Sequence, residues 1–196
     1  MADRLALQIA FLQEADKLKG IVRRNLVGDR SRRENAAEHS WHLALTATVL
    51  AEYAAEPVDL ARVLRTLLIH DLVEIDAGDT FSYGAWEKDQ KAAREAKAAE
   101  RLFAMLPADQ AKDLESLWRA FEEGSTPEGR FARVVDSLQP LLLHDLTRGA
   151  VWKEHRVRRS QVLARVGLIA RDAPRLWPWV VALVERATSE GWLVEA

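Results

Sequence analysis

Apolar residues recur at helical spacing along nearly the whole chain, and no alternating pattern of useful length accompanies them. A sheet buries every second residue, so a chain patterned in this way folds by packing helices. Leu5, Ile9, Leu12 and Leu18 mark a first amphipathic helix over about 4–19, stopped at Gly20. The arginine-rich segment 20–35, with Gly28-Asp29, reads as a loop. A second helix runs from near Ala36 to about Ala55, with Trp41, Leu45, Thr48 and Val49 towards the core. After Pro57 and Asp59 a third helix carries Leu60, Val63, Leu64, Leu67 and Leu68. Gly78 and Gly84 make 76–84 a loop, and 85–104 is rich in strong helix formers on a solvated face. Pro107 ends that helix, and another covers about 109–123. Ser125-Thr126-Pro127-Glu128 reads as a capping box that opens a helix towards Gly149. Helices over about 155–171 and 175–190 complete an all-α, compact multi-helix domain. The stripe in WPWVVALVERA defaults to the core but also suits a homodimer interface.

Composition narrows the class. With 196 residues the chain is long enough for one domain with its own core, and 48% hydrophobic against 30% charged residues excludes a disordered chain. A formal net charge of −2 carries no footprint for a nucleic-acid backbone, although arginines cluster at 23–33 and 156–159. Cysteine is absent, which removes disulfides, thiolate metal sites and a cysteine nucleophile, and fits a reducing cytoplasm. Acids interrupt the N-terminal amphipathic pattern, so no signal peptide is expected there, and no apolar run approaches a membrane span.

The chemistry concentrates in LLIHDLVEIDAGDT, residues 67–80. A His-Asp dipeptide at the end of a leucine-rich helix is by itself a capped, hydrogen-bonded pair as readily as a metal site. Here Glu74 follows His70 by four residues on the same helical face, and Asp79 follows a glycine on a loop. Packing His70, Asp71, Glu74, Asp76 and Asp79 behind Leu67-Leu68-Ile69 costs stability unless a cation neutralises part of the charge. Imidazole mixed with carboxylate suits an octahedral divalent ion such as Mn²⁺, Co²⁺, Ni²⁺ or Mg²⁺. Further ligands must come from other helices: Glu38-His39 and His42 in ENAAEHSWH, and Asp136 inside the apolar run of RFARVVDSLQP. On pattern alone Asp136 reads as a surface aspartate, and His39 and His42 remain alternatives.

His39, His70-Asp71 and Asp136, in that order, resemble the H…HD…D pattern of the HD-domain metal-dependent phosphohydrolases. The resemblance is closest to the small HD-domain 5′-deoxynucleotidases. It spans about Leu18 to Leu143, through ENAAEHSWHLA, HDLVEIDAGD, LWRAFEE and FARVVDSLQ. It implies an all-helical HD domain over 1–196, with the metal-site core at about 18–145 and C-terminal helices at about 155–190. It also implies one divalent ion held by His39, His70, Asp71 and Asp136, acting on a phosphate ester. Glu74 then takes general acid/base duty, Asp79 holds water or a sugar hydroxyl, and Glu122 lies near the substrate. Arg23 matches a phosphate-clamping arginine, with Arg24 its competitor. The bacterial enzymes carry an aromatic residue where Arg24 stands, and TFSYGAWEKD departs from their proline-rich version, so preference for deoxyribose carries over less well than the hydrolytic chemistry. Trp41, Tyr83 and Trp86 offer a base-stacking surface. A second pair, His144-Asp145, lacks the downstream acids and is expected to be structural: eight residues beyond Asp136 on one helix lies ~12 Å away. Two other readings stand beside this one: an HD-type hydrolase of another phosphate ester or an alarmone, and a non-catalytic helical module.

Overall fold

The computed structural model describes residues 3–83 and 88–195. Eleven α-helices are described: α1 (Arg4–Ala15), α2 (Ala36–Leu50), α3 (Leu60–Ile69), α4 (Glu74–Ala77), α5 (Lys88–Phe103), α6 (Ala108–Glu123), α7 (Pro127–Leu146), α8 (Ala150–Glu154), α9 (Arg159–Val166), α10 (Leu168–Asp172) and α11 (Trp177–Ser189). The all-α expectation holds. Four short 3₁₀ turns link them, among them Asp16–Gly20, which ends the first expected helix, and His70–Val73 between α3 and α4. The expected helix over 155–171 is broken into α9 and α10. Residues 84–87, and Trp86 with them, lie outside the described residues. Among the described residues no helix is long and apolar enough to cross a membrane.

The segment 20–35 is not a loop. Val22–Leu26 (β1) and Arg33–Asn35 (β2) form an antiparallel pair with Val22 opposite Asn35 and Leu26 opposite Arg33. Its strands are short and arginine-rich, with no apolar alternation, so periodicity could not mark them. Their backbone pairing needs no particular side chain.

Helices α2, α3 and α7 pack on one another, with α6 against α3 and α7. One apolar cluster, including Leu43, Leu67, Phe131, Val135, Leu138 and Trp152, takes in Val180, Leu183 and Val184 of α11. The WPWVVALVERA stripe is therefore core. A second cluster gathers Phe11, Leu72, Phe103, Leu117 and Trp118. Each such side chain contributes about 1.5–3 kcal/mol when fully buried. His70 stands at the seam: its ring meets Phe121 edge-on at 4.9 Å, while Ile69 and Leu72 beside it belong to the second cluster. Gly129 permits the contact of α6 with α7, because a Cβ there would lie 2.1 Å from the Ala120 carbonyl oxygen. The α7 cap is one residue later than the capping-box reading: Thr126 accepts from the Gly129 amide at 3.0 Å.

Two faces are reversed from expectation. On α2 the buried residues are Ala36, His39, Ser40, Leu43, Thr46 and Ala47, whereas Trp41, Leu45 and Val49 face solvent. The face of α2 packed against α3 and α7 mixes small and polar residues with Leu43, while the larger apolar side chains lie on the opposite side. On α1 only Phe11 is buried, and Leu5, Ile9 and Leu12 are exposed.

Candidate metal centre

Three elements bring the centre together. Asn35 caps α2 by accepting from the Glu38 amide at 2.9 Å, and its own N–H donates to the Glu38 carboxylate at 3.2 Å. Arg32 holds the same carboxylate at 2.7 and 2.8 Å. Glu38 is thus occupied as a cap, and His39 beside it turns inward in the first turn of α2. The 3₁₀ turn after α3 presents His70 and Asp71. Helix α7 presents Asp136. His39, His70 and Asp136 each offer a ligand atom within 4.8 Å of the others, a group able to hold a metal ion. His39 Nε2 lies 3.1 Å from Asp136 Oδ1, and His70 Nε2 lies 3.1 Å from Asp71 Oδ1. The other Asp71 oxygen is 4.0 Å from His39 Nε2.

Both imidazoles are oriented from behind. His39 Nδ1–H donates to Gln139 Oε1 at 3.0 Å, an oxygen that can only accept, and His70 Nδ1–H donates to the Leu67 carbonyl at 2.9 Å. Each ring therefore turns Nε2 towards the centre, the atom on which a divalent ion would take the place of a proton. His70 Nε2 is buried and has no hydrogen-bond partner among the described residues. Two inward imidazole nitrogens with the Asp136 carboxylate, and Asp71 beside them, make a donor set for a divalent cation, and the residues present fit one. Burial and Arg23 both press the His39 pKa down, but the hydrogen bonds to Asp136 and Glu34 outweigh them and leave it raised. Burial likewise opposes the Asp136 charge, yet His39 and Arg165 hold its pKa well below the usual range. The cluster as a whole attracts positive charge.

Around this group stand charges that do not join it. Arg23 on β1 donates to Asp71 Oδ2 at 2.9 Å and lies 3.9 Å from Asp79 Oδ1. Arg24 beside it is exposed, and its carbonyl is taken by Arg33. Gly78, at φ 74°, ends α4 in a conformation that favours glycine and turns Asp79 back towards Arg23. Glu74 is buried, and its Oε2 has no hydrogen-bond partner among the described residues. Burial first, then the Asp71 charge, pushes its carboxyl up to about 9. Glu122, at the end of α6, keeps much of its surface in solvent, but protein packed against its carboxyl and the nearby Glu95 raise it to about 7.

A cleft opens beside the centre, walled by Arg23, Asp79, Phe81, Tyr83, Asp136, His144 and Arg165 among others. Of the two members of the expected aromatic surface among the described residues, Tyr83 is there and Trp41 is not: Trp41 lies exposed on α2, stacked on His42 at 5.8 Å. The second His-Asp pair divides. Asp145 pairs with Arg186 near the surface, while His144 is buried with its ring stacked on Trp152 at 4.0 Å. His144 is absent from the group that can hold an ion.

Three neighbours escaped the sequence reading. Glu34 and Gln139 are buried, and Gln139 Nε2 donates to Glu34 Oε1 at 2.8 Å and to His42 Nδ1 at 3.0 Å. His42 thus supports the centre from behind. Arg165 on α9 donates to Asp136 Oδ2 at 3.1 Å and to Ser137 at 2.8 Å. A single Glu, Gln or Arg carries an ordinary surface reading, and only the fold reveals these as supports.

Comparison with known proteins follows the same lines. A crystal structure of a predicted metal-dependent phosphohydrolase from Magnetospirillum magnetotacticum MS-1 superposes with a TM-score of 0.91, at 50% identity over 97% of this chain and 96% of that one. A conserved hypothetical protein from Pyrococcus furiosus shares the fold, with a TM-score of 0.61 and 22% identity over 90% of this chain and 99% of that one. The human 5′-deoxynucleotidase HDDC2 is 28% identical over 135 residues, which are 68% of this chain and 65% of that protein, just under two thirds of its length. The 5′-deoxynucleotidase YGK1 of Saccharomyces cerevisiae is 26% identical over 56% of this chain and 51% of its own. The model of the HD domain matches residues 15–177, most of the sequence, and the chain belongs to the HD domain family.

Proposed function

We propose that this chain is a single-domain, divalent-metal-dependent phosphomonoester hydrolase that removes the 5′-phosphate from nucleoside monophosphates in the cytoplasm. The observation that carries the reading is the pair of inward Nε2 atoms, fixed from behind by Gln139 and Leu67, beside two carboxylates and the buried Arg23. Its relatives among the deoxynucleotidases and the metal-dependent phosphohydrolases support the substrate class.

His39, His70, Asp71 and Asp136 would hold the ion, which when bound supplies Lewis acidity to the phosphoryl group and a more acidic water. Arg23 contributes a fixed positive charge. Burial works against it, but the surrounding Asp71, Glu74, Asp136 and Asp79 keep the guanidinium protonated, so it can clamp a phosphate oxygen. Glu74, whose carboxyl is pushed up by burial and by the Asp71 charge, can hold a proton for the leaving sugar oxygen and then recover one from the attacking water. Asp79, raised by burial while Arg23 opposes the rise, stands across from the same guanidinium and holds water or a sugar hydroxyl. Glu122 sits at the substrate's edge. Elemental analysis of the purified protein, then hydrolysis of a nucleoside monophosphate panel with each divalent metal, tests the reading. Stoichiometric metal and release of inorganic phosphate are expected. A protein that binds no divalent ion, or that is inert to every monophosphate, overturns it.

A further inference from the structure

The cleft beside the metal centre changes character along α7. Asp136, Pro140 and His144 line it at intervals of four residues, so they share one helix face. At the Asp136 end stand Arg23 and Arg165, the latter bonded to the carboxylate itself. His144 lies two turns on, ~12 Å along the axis. There the wall is Leu141 and an imidazole laid flat on Trp152 at 4.0 Å and 22°. A ligand with a phosphate at the first end and a span of two helical turns meets a neutral ring at the second.

We propose that His144 is a specificity-determining residue that hydrogen-bonds the heteroaromatic base of a nucleoside monophosphate whose phosphate sits at the metal centre. The proposal rests on the hydrolase reading above and extends it to the far end of the substrate. A neutral imidazole offers one donor and one acceptor, the pairing that the edge of a nucleobase presents. Burial alone brings the His144 pKa down to about 3, and among the described residues no charged or hydrogen-bonding partner offsets it. The ring therefore stays uncharged, and its stack on Trp152 fixes the plane in which it bonds. This also explains how one His-Asp pair can point two ways. Asp145 faces solvent and Arg186, while His144 faces the cleft.

The test compares kcat/KM for deoxyadenosine 5′-monophosphate with that for base-free 2-deoxyribose 5-phosphate, in the Mn²⁺-loaded parent, His144→Phe and His144→Gln. Phenylalanine keeps the ring and the stack but removes both nitrogens. The ratio of the two kcat/KM values should fall about tenfold in His144→Phe, mostly through KM, as expected for one lost buried hydrogen bond. His144→Gln should recover part of it. A ratio unchanged in a His144→Phe protein that melts normally overturns the proposal and leaves the hydrolase reading standing. If His144→Phe does not fold, His144→Ala replaces it: the ratio should fall without imidazole and recover when imidazole is added, and a ratio unchanged in its absence is equally fatal. Should the parent hydrolyse neither compound, calorimetric titration with deoxyadenosine 5′-monophosphate decides. Binding weakened about tenfold in the variant supports the role of His144, equal binding refutes it, and a parent that does not bind sinks the hydrolase reading together with this one.

Discussion

Replacing Gln139 by leucine tests whether the centre is set from behind. The amide is wholly buried and used three ways: Oε1 accepts from His39 Nδ1–H, and Nε2 serves Glu34 Oε1 and His42 Nδ1. Leucine is of similar size, so packing changes little while all three bonds go. His42 is half-buried and water can reach it, but His39 Nδ1–H and Glu34 Oε1 lose their partners in the interior. Each unpaired group costs about 1–3 kcal/mol, so the loss is about 2–6 kcal/mol. At roughly 2–4 °C per kcal/mol for a chain this long, the midpoint should fall by about 4–24 °C. The His39 ring also becomes free to turn or to change tautomer, and Mn²⁺ affinity should weaken about 10–100-fold. Calorimetric melting of the metal-free protein reads the first effect, and competition with a fluorescent chelator reads the second. Gln139→Leu protein that melts within ~1 °C of the parent and binds Mn²⁺ with unchanged affinity would refute the reasoning, because His39 would then be oriented by something other than this amide.

Glu74→Gln should retain metal but lose ~10²–10⁴-fold in kcat, since glutamine keeps the shape of the protonated acid without its transferable proton; full turnover would return Glu74 to a structural role. Asp71→Ala should lose metal and activity together when both are assayed on one preparation, whereas His144→Phe should keep its metal content by elemental analysis. Stability measured against pH gives a separate check on Glu122. Its folded pKa, about 7, lies above the ordinary glutamate value of 4.5, so the native state binds the extra proton, and stability should decline as pH rises from about 4.5 to 7. Glu122→Gln should flatten that part of the profile, by a small amount because the group is partly solvated; a steeper profile would contradict the sign.

The helices were legible because their spacing, prolines and glycines are local signals, and α6 and α7 begin within a residue or so of where Pro107 and Thr126 place them. The faces of α1 and α2 were not, since Leu5, Ile9, Trp41 and Val49 are apolar yet lie outside. Hydrophobicity there says that a side is apolar, not that anything covers it. His70, Asp71 and Asp136 could be read because their order along the chain resembles a known pattern. Glu34, Gln139 and Arg165 could not, because their role exists only once β2, α7 and α9 have met. The hairpin was missed for a related reason: backbone pairing leaves no mark on polar side chains.

The bonds of the centre join positions far apart in the chain. His39 and Asp136 are separated by 97 positions, Gln139 and Glu34 by 105, and Arg23 and Asp71 by 48. Each closes a long loop whose entropy must be given up before the contact repays it. The group is therefore expected to assemble late, after the hairpin and α2 have docked on α7, and a cation would then recognise only the finished arrangement. A contact absent from the transition state slows unfolding and leaves the folding rate nearly untouched. The ion would act as a removable cross-link over half the chain, so loaded and stripped protein should refold alike after dilution from denaturant yet lose structure at very different rates.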